Sequence, residues 1–247
     1  MNESPVTVRA QLDEPLSRGL WLVKWLLAIP HFIILVFLWI AFIVVWVISF
    51  FAILFTGRYP QGLFDFNVGV LRWTWRVGYY TYNALGTDKY PPFSLADDPA
   101  YPAGLTVEYP ETLSRGLVLV KWWLLAIPHY LIVAVFIGGG GGGNWSRWNG
   151  DDRRDRDWDW GWDGGWGWGW DSPWGGLIML CVLIAAIALL FTARYPRGLY
   201  DLIMGMNRWG LRVAAYVALM TDTYPPFRLD QGGTERSTSE TARPDIE

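Results

Sequence analysis

From Gly19 to Gly57 the chain reads GLWLVKWLLAIPHFIILVFLWIAFIVVWVISFFAILFTG, with no charge between Lys24 and Arg58. As one helix that uncharged stretch would run about 50 Å, whereas the hydrocarbon core of a bilayer is about 30 Å thick. The pattern therefore predicts a membrane helical hairpin over 19–56. A third segment, 63–85, places Arg72 and Arg76 four apart on one helical face, with apolar and aromatic residues on the other. Two arginines near its middle make a full span costly, so an amphipathic helix in the headgroup layer is expected, with Trp73, Trp75, Tyr79, Tyr80 and Tyr82 at that level. Val6–Ala10 alternates as a strand would. Tyr90-Pro91-Pro92-Phe93 must end the helix before it.

Every one of these features occurs twice. Leu16-Ser17-Arg18-Gly19-Leu20 returns as Leu113-Ser114-Arg115-Gly116-Leu117. Lys24-Trp25-Leu26-Leu27-Ala28-Ile29-Pro30-His31 returns from Lys121 to His129 with one extra residue, Trp123. The stretch Leu54–Pro60 returns as Leu190–Pro196, and Thr87–Phe93 returns as Thr221–Phe227. The chain is a tandem duplication. A first repeat occupies 1–95, a linker 96–104 and a second repeat 105–229. The second repeat has arms at 114–137 and 177–192 and an interfacial helix at 199–220. Its apolar run is split by a polar insert, 138–176, that maps between Trp39 and Ala41 of the first copy. A helix interior in lipid cannot accept such an insertion, but a hairpin tip can. That is the main argument for hairpins, against which Phe37–Phe42 holds no turn residue. A single long helix in the first copy, or a hairpin that dips without crossing, remains open. Short strands, Val6–Ala10 and Leu105–Tyr109, could pair with Phe93–Leu95 and Phe227–Leu229 at the cytoplasmic surface. A polar tail, 230–247, is expected to be disordered. The fold class expected is an all-α integral membrane protein of two tandem repeats.

Composition agrees: of 247 residues, 52% are hydrophobic, and mean hydropathy is +0.18. No cleaved signal peptide is expected; the first run would serve as an uncleaved anchor. The net charge of −3 gives no basic excess for nucleic acid. All of it sits in the insert, where Arg147, Arg153, Arg154 and Arg156 face Asp151, Asp152, Asp155, Asp157, Asp159, Asp163 and Asp171. The insert also holds half of the tryptophans, which suit an extramembrane loop resting on the interface; glycan stacking or cation binding are alternatives. Asp157, Asp159 and Asp163 are spaced loosely like a calcium loop, but the glycine and terminal glutamate of an EF-hand are missing. The other basic residues gather at the chain ends, linker and third helices. The positive-inside rule makes that side cytoplasmic and the insert extracytoplasmic, in a bacterial cytoplasmic membrane. The single Cys181 is a small apolar residue within a run.

His31 and His129 are the only histidines, each after a proline in an apolar helix. Intramembrane ionisable groups are functional candidates, here as a proton relay or metal pair across a pseudo-two-fold. Alternatively each imidazole satisfies a backbone group freed by the proline. With no carboxylate or cysteine nearby they make a poor metal set, and no metal or cofactor is expected. The extra Trp123 would rotate the remainder of its helix by about 100° unless a π-bulge absorbs it. Arg58, Arg72, Arg76, Arg194, Arg208 and Arg212 are candidate sites for anionic lipid headgroups. Asp65 and Asp201 sit at helix starts, where a carboxylate is favoured. Lys24 and Lys121 are expected to snorkel. No nucleophile elbow, phosphate loop, dinucleotide fingerprint or zinc-protease helix is present.

The repeated pieces LSRGL, LLAIPH, LFTGRYP or LFTARYP, and YPPF resemble the bacterial membrane protein family known as domain of unknown function 4389, in particular its tandem, actinobacterial-type members. The resemblance runs from Val6 to Leu95 and from Leu105 to Leu229, leaving out the insert and tail. It implies a bacterial membrane protein and carries no activity with it. Ala193 stands where the first copy has Gly57. Three functions are consistent with these residues: a non-enzymatic envelope protein binding lipid or a membrane partner, itself included; a small transporter or channel lined by His31 and His129; or a membrane enzyme acting on lipid headgroups.

Overall fold

The computed structural model describes residues 4–137, 176–192, 194–227 and 229. The expectations for the insert, save Gly176, and for the tail lie outside them. Elements in order are β1 (Val6–Ala10), α1 (Trp21–Leu27), α2 (Ile29–Thr56), α3 (Gln61–Tyr80), β2 (Ala103–Val107), α4 (Arg115–Val120), a π-helical turn Lys121–Leu125, α5 (Ile127–Ile137), α6 (Leu177–Thr192) and α7 (Arg197–Val217). The described chain is predominantly helical, with one two-stranded sheet.

The hairpin expected over 19–56 is not formed. Helix α2 runs unbroken for 28 residues, with Pro30 in its first turn and Gly57 in the left-handed conformation (φ 72°) closing it. The reason is local: nothing between those two residues breaks a helix. It is the one described helix long and apolar enough to cross a membrane, and Arg115–Leu125 with Ile127–Phe136 forms a bent pair, at 44°, that would qualify together. In the second copy α5 and α6 take the places of the two halves of α2. The extra Trp123 is absorbed by the π-turn Lys121–Leu125, which keeps His129 in step with His31.

The third segments are not exposed interfacial helices. From Asn67 to Tyr80 every residue of α3 except Arg72 is buried, and α7 is nearly as enclosed. The arginines tolerate this because their donors reach backbone carbonyls. Arg72 bonds Leu105 O at 2.7 Å and Leu95 O at 2.9 Å, and Arg76 bonds Ala96 O at 2.9 Å. The first strand occurs where alternation predicts it and the second two residues earlier than the expected Leu105–Tyr109, but they pair with each other, antiparallel, not with Phe93–Leu95 or Phe227–Leu229.

The ladder register carries the symmetry of the molecule. Val8 pairs with Leu105, and counting eight residues back from the repeat counterparts Leu16 and Leu113 reaches those same two residues. A pseudo-two-fold axis therefore passes through this pair. The sheet turns Val6, Val8, Ala10, Ala103, Leu105 and Val107 inward and Thr7, Arg9 and Thr106 outward. Beneath it lie α3 and α7, tied by a hydrogen bond between Tyr79 and Tyr200 at 2.7 Å and by Asn207 Nδ2 to Asn83 O at 3.0 Å. Beneath those lie the apolar rods, α1–α2 and α4–α6.

Candidate functional site

The same constellation is built twice, once per copy. In the first, Lys24 of α1 is 2% exposed. Its Nζ donates to Thr87 O at 2.7 Å and pairs with Asp88 Oδ1 at 2.9 Å, over the ring of Tyr80 at 5.0 Å. In the second, Lys121 Nζ donates to Thr221 O at 3.0 Å and Asp222 Oδ1 at 2.8 Å, over Tyr216 at 5.4 Å. Each aspartate spends its other oxygen on the backbone where a rod begins: Ser17 N to Asp88 Oδ2 and Ser114 N to Asp222 Oδ2, both 2.6 Å. Burial pushes the Asp88 carboxyl up, but the Ser17 N–H and Lys24 outweigh it and hold it below its ordinary value. The lysines do not snorkel, because a carboxylate, a carbonyl and an aromatic face replace water.

About two turns along the rod, His31 is fully buried. Its ring stacks on Phe93 at 4.0 Å, tilts against Tyr90 at 4.9 Å and meets Trp73 edge-on at 5.9 Å. The indole Nε1 of Trp73 donates to His31 Nδ1 at 3.0 Å, so the neutral imidazole carries its proton on Nε2. His129 is likewise fully buried, between Phe227 at 4.5 Å, Tyr224 at 4.8 Å and Trp209 at 5.5 Å. There the indole bond is not made: neither nitrogen of His129, nor Nε1 of Trp209, has a hydrogen-bond partner among the described residues. The imidazoles do not repair the proline kinks. The carbonyls that the prolines free, Leu26 O and Leu124 O, accept from Ala28 N and Ala126 N, and a tyrosine takes the next one along, Tyr90 Oη donating to Leu27 O at 3.0 Å and Tyr224 Oη to Leu125 O at 3.4 Å.

Each histidine is thus enclosed by the rings of its own copy, and the two are not brought together. No group of three or more potential metal ligands occurs among the described residues. Of the headgroup candidates, Arg58 and Arg194 are exposed at rod ends, Arg72 is half-buried, and Arg76, Arg208 and Arg212 are buried. Asp65 is exposed and Asp201 half-buried. A cleft beside Arg212, lined also by Ser4, Thr221, Thr223 and Tyr224, has about 10 Å³ of free volume, room for about one water.

Sequence reasoning took Tyr90–Phe93 and Tyr224–Phe227 as helix stops, Phe93 and Phe227 also as the starts of strands and Trp73 as an interfacial aromatic, and so missed the part of Asp88 and Asp222 and the boxes that Trp73, Tyr90, Phe93, Trp209, Tyr224 and Phe227 form. The signal was available: these words recur in both copies together with the lysine and histidine they enclose.

A family model with the description Domain of unknown function (DUF4389) matches residues 18–94 and 172–228. No curated protein and no solved structure matches the chain.

Proposed function

This chain belongs to the DUF4389 family, and from that premise we propose that it is a non-enzymatic protein of the bacterial cytoplasmic membrane, embedded by its apolar rods and binding anionic lipid headgroups at their arginine-bearing ends. One observation carries this reading. Helix α2 buries a single stripe, His31, Leu35, Phe42, Ser49 and Ile53. At 100° per residue the exposed residues, among them Ile33, Phe37, Ile40, Val44, Ile48, Phe51 and Phe55, sweep roughly half the circumference on the opposite side. Only 17% of its most apolar window is covered by the rest of the protein. A core helix of a water-soluble domain would be mostly covered, and a detachable leader would not seat such a stripe. Rods α4–α6 expose Leu119, Trp123, Leu131, Leu180, Ile184, Ile187 and Phe191 in the same way. Apolar surface on that scale needs lipid.

The headgroup role falls to Arg58 and Arg194, the exposed members of the expected set. A transporter would need a wet path to His31, whose ring is sealed among aromatic side chains. A headgroup enzyme would need a cavity beside Asp65 or Asp201, and the cleft at Arg212 touches neither. The hairpin topology loses its basis with the continuity of α2, so no number of crossings is carried forward.

Flotation with phospholipid vesicles tests the proposal. The full chain should float and resist alkaline extraction, should retain more phosphatidylglycerol than phosphatidylcholine through gentle detergent extraction, and should lose that preference as Arg58→Gln/Arg194→Gln. A protein recovered in the aqueous fraction without detergent would end it.

A further inference from the structure

We propose that the protein lies within one leaflet, its rods parallel to the membrane plane and its pseudo-two-fold axis along the bilayer normal. This rests on the membrane reading proposed for the rods and states how the apolar face meets lipid. The rods run antiparallel. The start of the second meets the end of the first, where Leu113 N donates to Gly57 O at 2.8 Å. At the opposite ends Glu14 pairs with Arg197 at 3.8 Å. Between them Trp46 packs edge-on against Trp122 at 5.7 Å.

An antiparallel pair related by a two-fold can meet a bilayer in two ways. If the rods cross, the axis lies in the membrane plane. The sheet, which sits on the axis, is then level with the bilayer centre. Its outward face of Thr7, Arg9 and Thr106, with Glu108 and the Asp97 that pairs with Arg9 at 3.5 Å exposed beside it, would face hydrocarbon, where charged side chains are costly even at the level of a single residue. If the rods lie flat, the same face points to water. The layer order fits: polar sheet, then α3 and α7, then rods whose apolar arc points directly away from both.

Two further observations agree. Residues 138–175 enter between α5 and α6, opposite Trp39–Ala41 and near the middle of the rod. In a crossing rod that level is the bilayer centre, where the chain would have to leave the helix and carry four arginines and seven aspartates away. In a flat rod it is one leaflet deep. Exposed arginines stand at both rod ends, Arg18, Arg194 and Arg197 at one, the last paired with Glu14, and Arg58 and Arg115 at the other. A crossing arrangement would set these charges on both sides of the membrane, against the positive-inside rule, whereas a flat one sets them all at headgroup level.

The test uses four glycines at the rod ends where an added Cβ meets nothing within 4 Å: Gly19, Gly62, Gly116 and Gly198. Each is changed to Cys in a full-length Cys181→Ala background and treated with a membrane-impermeant maleimide, in intact spheroplasts and in inverted membrane vesicles. The flat arrangement predicts that all four react from one and the same side. Gly19→Cys and Gly198→Cys reacting from one side, with Gly62→Cys and Gly116→Cys from the other, would overturn it. Oriented circular dichroism of the unmodified chain in stacked bilayers gives an independent reading: helices in the plane keep the 208-nm band, and loss of that band counts against the proposal. A chain that washes into the aqueous phase would instead reject the membrane reading itself, and this proposal with it.

Discussion

Removing the Asp88 side chain should be among the most damaging single changes outside the apolar core. In Asp88→Ala the Lys24 ammonium, 2% exposed, keeps only the Thr87 carbonyl and the Tyr80 ring. Breaking a buried ion pair from one side costs about 3–5 kcal/mol. Asp88 itself is 24% exposed, so the lower end applies, with about 1 kcal/mol more for the lost acceptor at Ser17 N. For a chain of this size, about 4 kcal/mol corresponds to a fall of roughly 8–16 °C in Tm. Lys24→Met leaves a carboxylate that water reaches and that still holds Ser17 N, so about 1–2 kcal/mol is expected. The double variant Lys24→Met/Asp88→Ala should lose less than the two single changes together. The folded-state pKa of Asp88 lies below its ordinary 3.8. Its contribution is therefore complete above that value and fades as pH falls through the folded-state value. Thermal unfolding in detergent micelles, followed by circular dichroism at pH 7 and at about pH 3, reads both effects. An Asp88→Ala Tm within about 2 °C of wild type, or the same acid loss in Asp88→Asn as in wild type, would refute the ion-pair account.

Other expectations come from comparing the two copies. His31→Leu strands the Trp73 indole N–H and should cost about 1–3 kcal/mol beyond the packing change; His129→Leu removes no such bond, so its Tm should fall less in the same assay. Deleting Trp123 should turn the π-turn into ordinary helix with His129 still in place, leaving Tm unchanged or higher, and a collapse of the fold would contradict the register argument. Gly69→Ala drives a Cβ to 2.8 Å from Leu95 Cβ and should cost about 1–3 kcal/mol, whereas Gly210→Ala, with nothing within 4 Å, should be neutral or stabilising by urea titration.

The repeat was legible in the sequence down to single residues, and so were the presence of two strands and of the third helices; for Trp123 the sequence left a rotated helix or a π-bulge, and the chain takes the second. The hairpin was not, and the mismatch has a physical source. An insertion reports that a point on the chain can leave the lipid, and it suggests a tip because a crossing rod has no other such point. A rod lying flat has one along its whole length. Arg72 and Arg76 mislead for a related reason. Their spacing announces a polar stripe but not its partner, and here the partner is carbonyls of 94–96 and of β2, further along the chain. The histidine boxes escape a local reading because stacking between residues as distant as His31 and Phe93 leaves no local periodicity, only the recurrence of both words in the second copy.

The strand ladder, in which Val8 faces its own counterpart Leu105, has an ancestry written into it. Two identical chains meeting about a dyad pair one residue with its twin and set every other residue opposite the twin of its mirror position, which is the register seen here. A single ancestral half, self-associating through that strand, would already have possessed the whole architecture, and joining the halves end to end merely freed one of them to acquire a tryptophan-rich excursion that its sibling never carried.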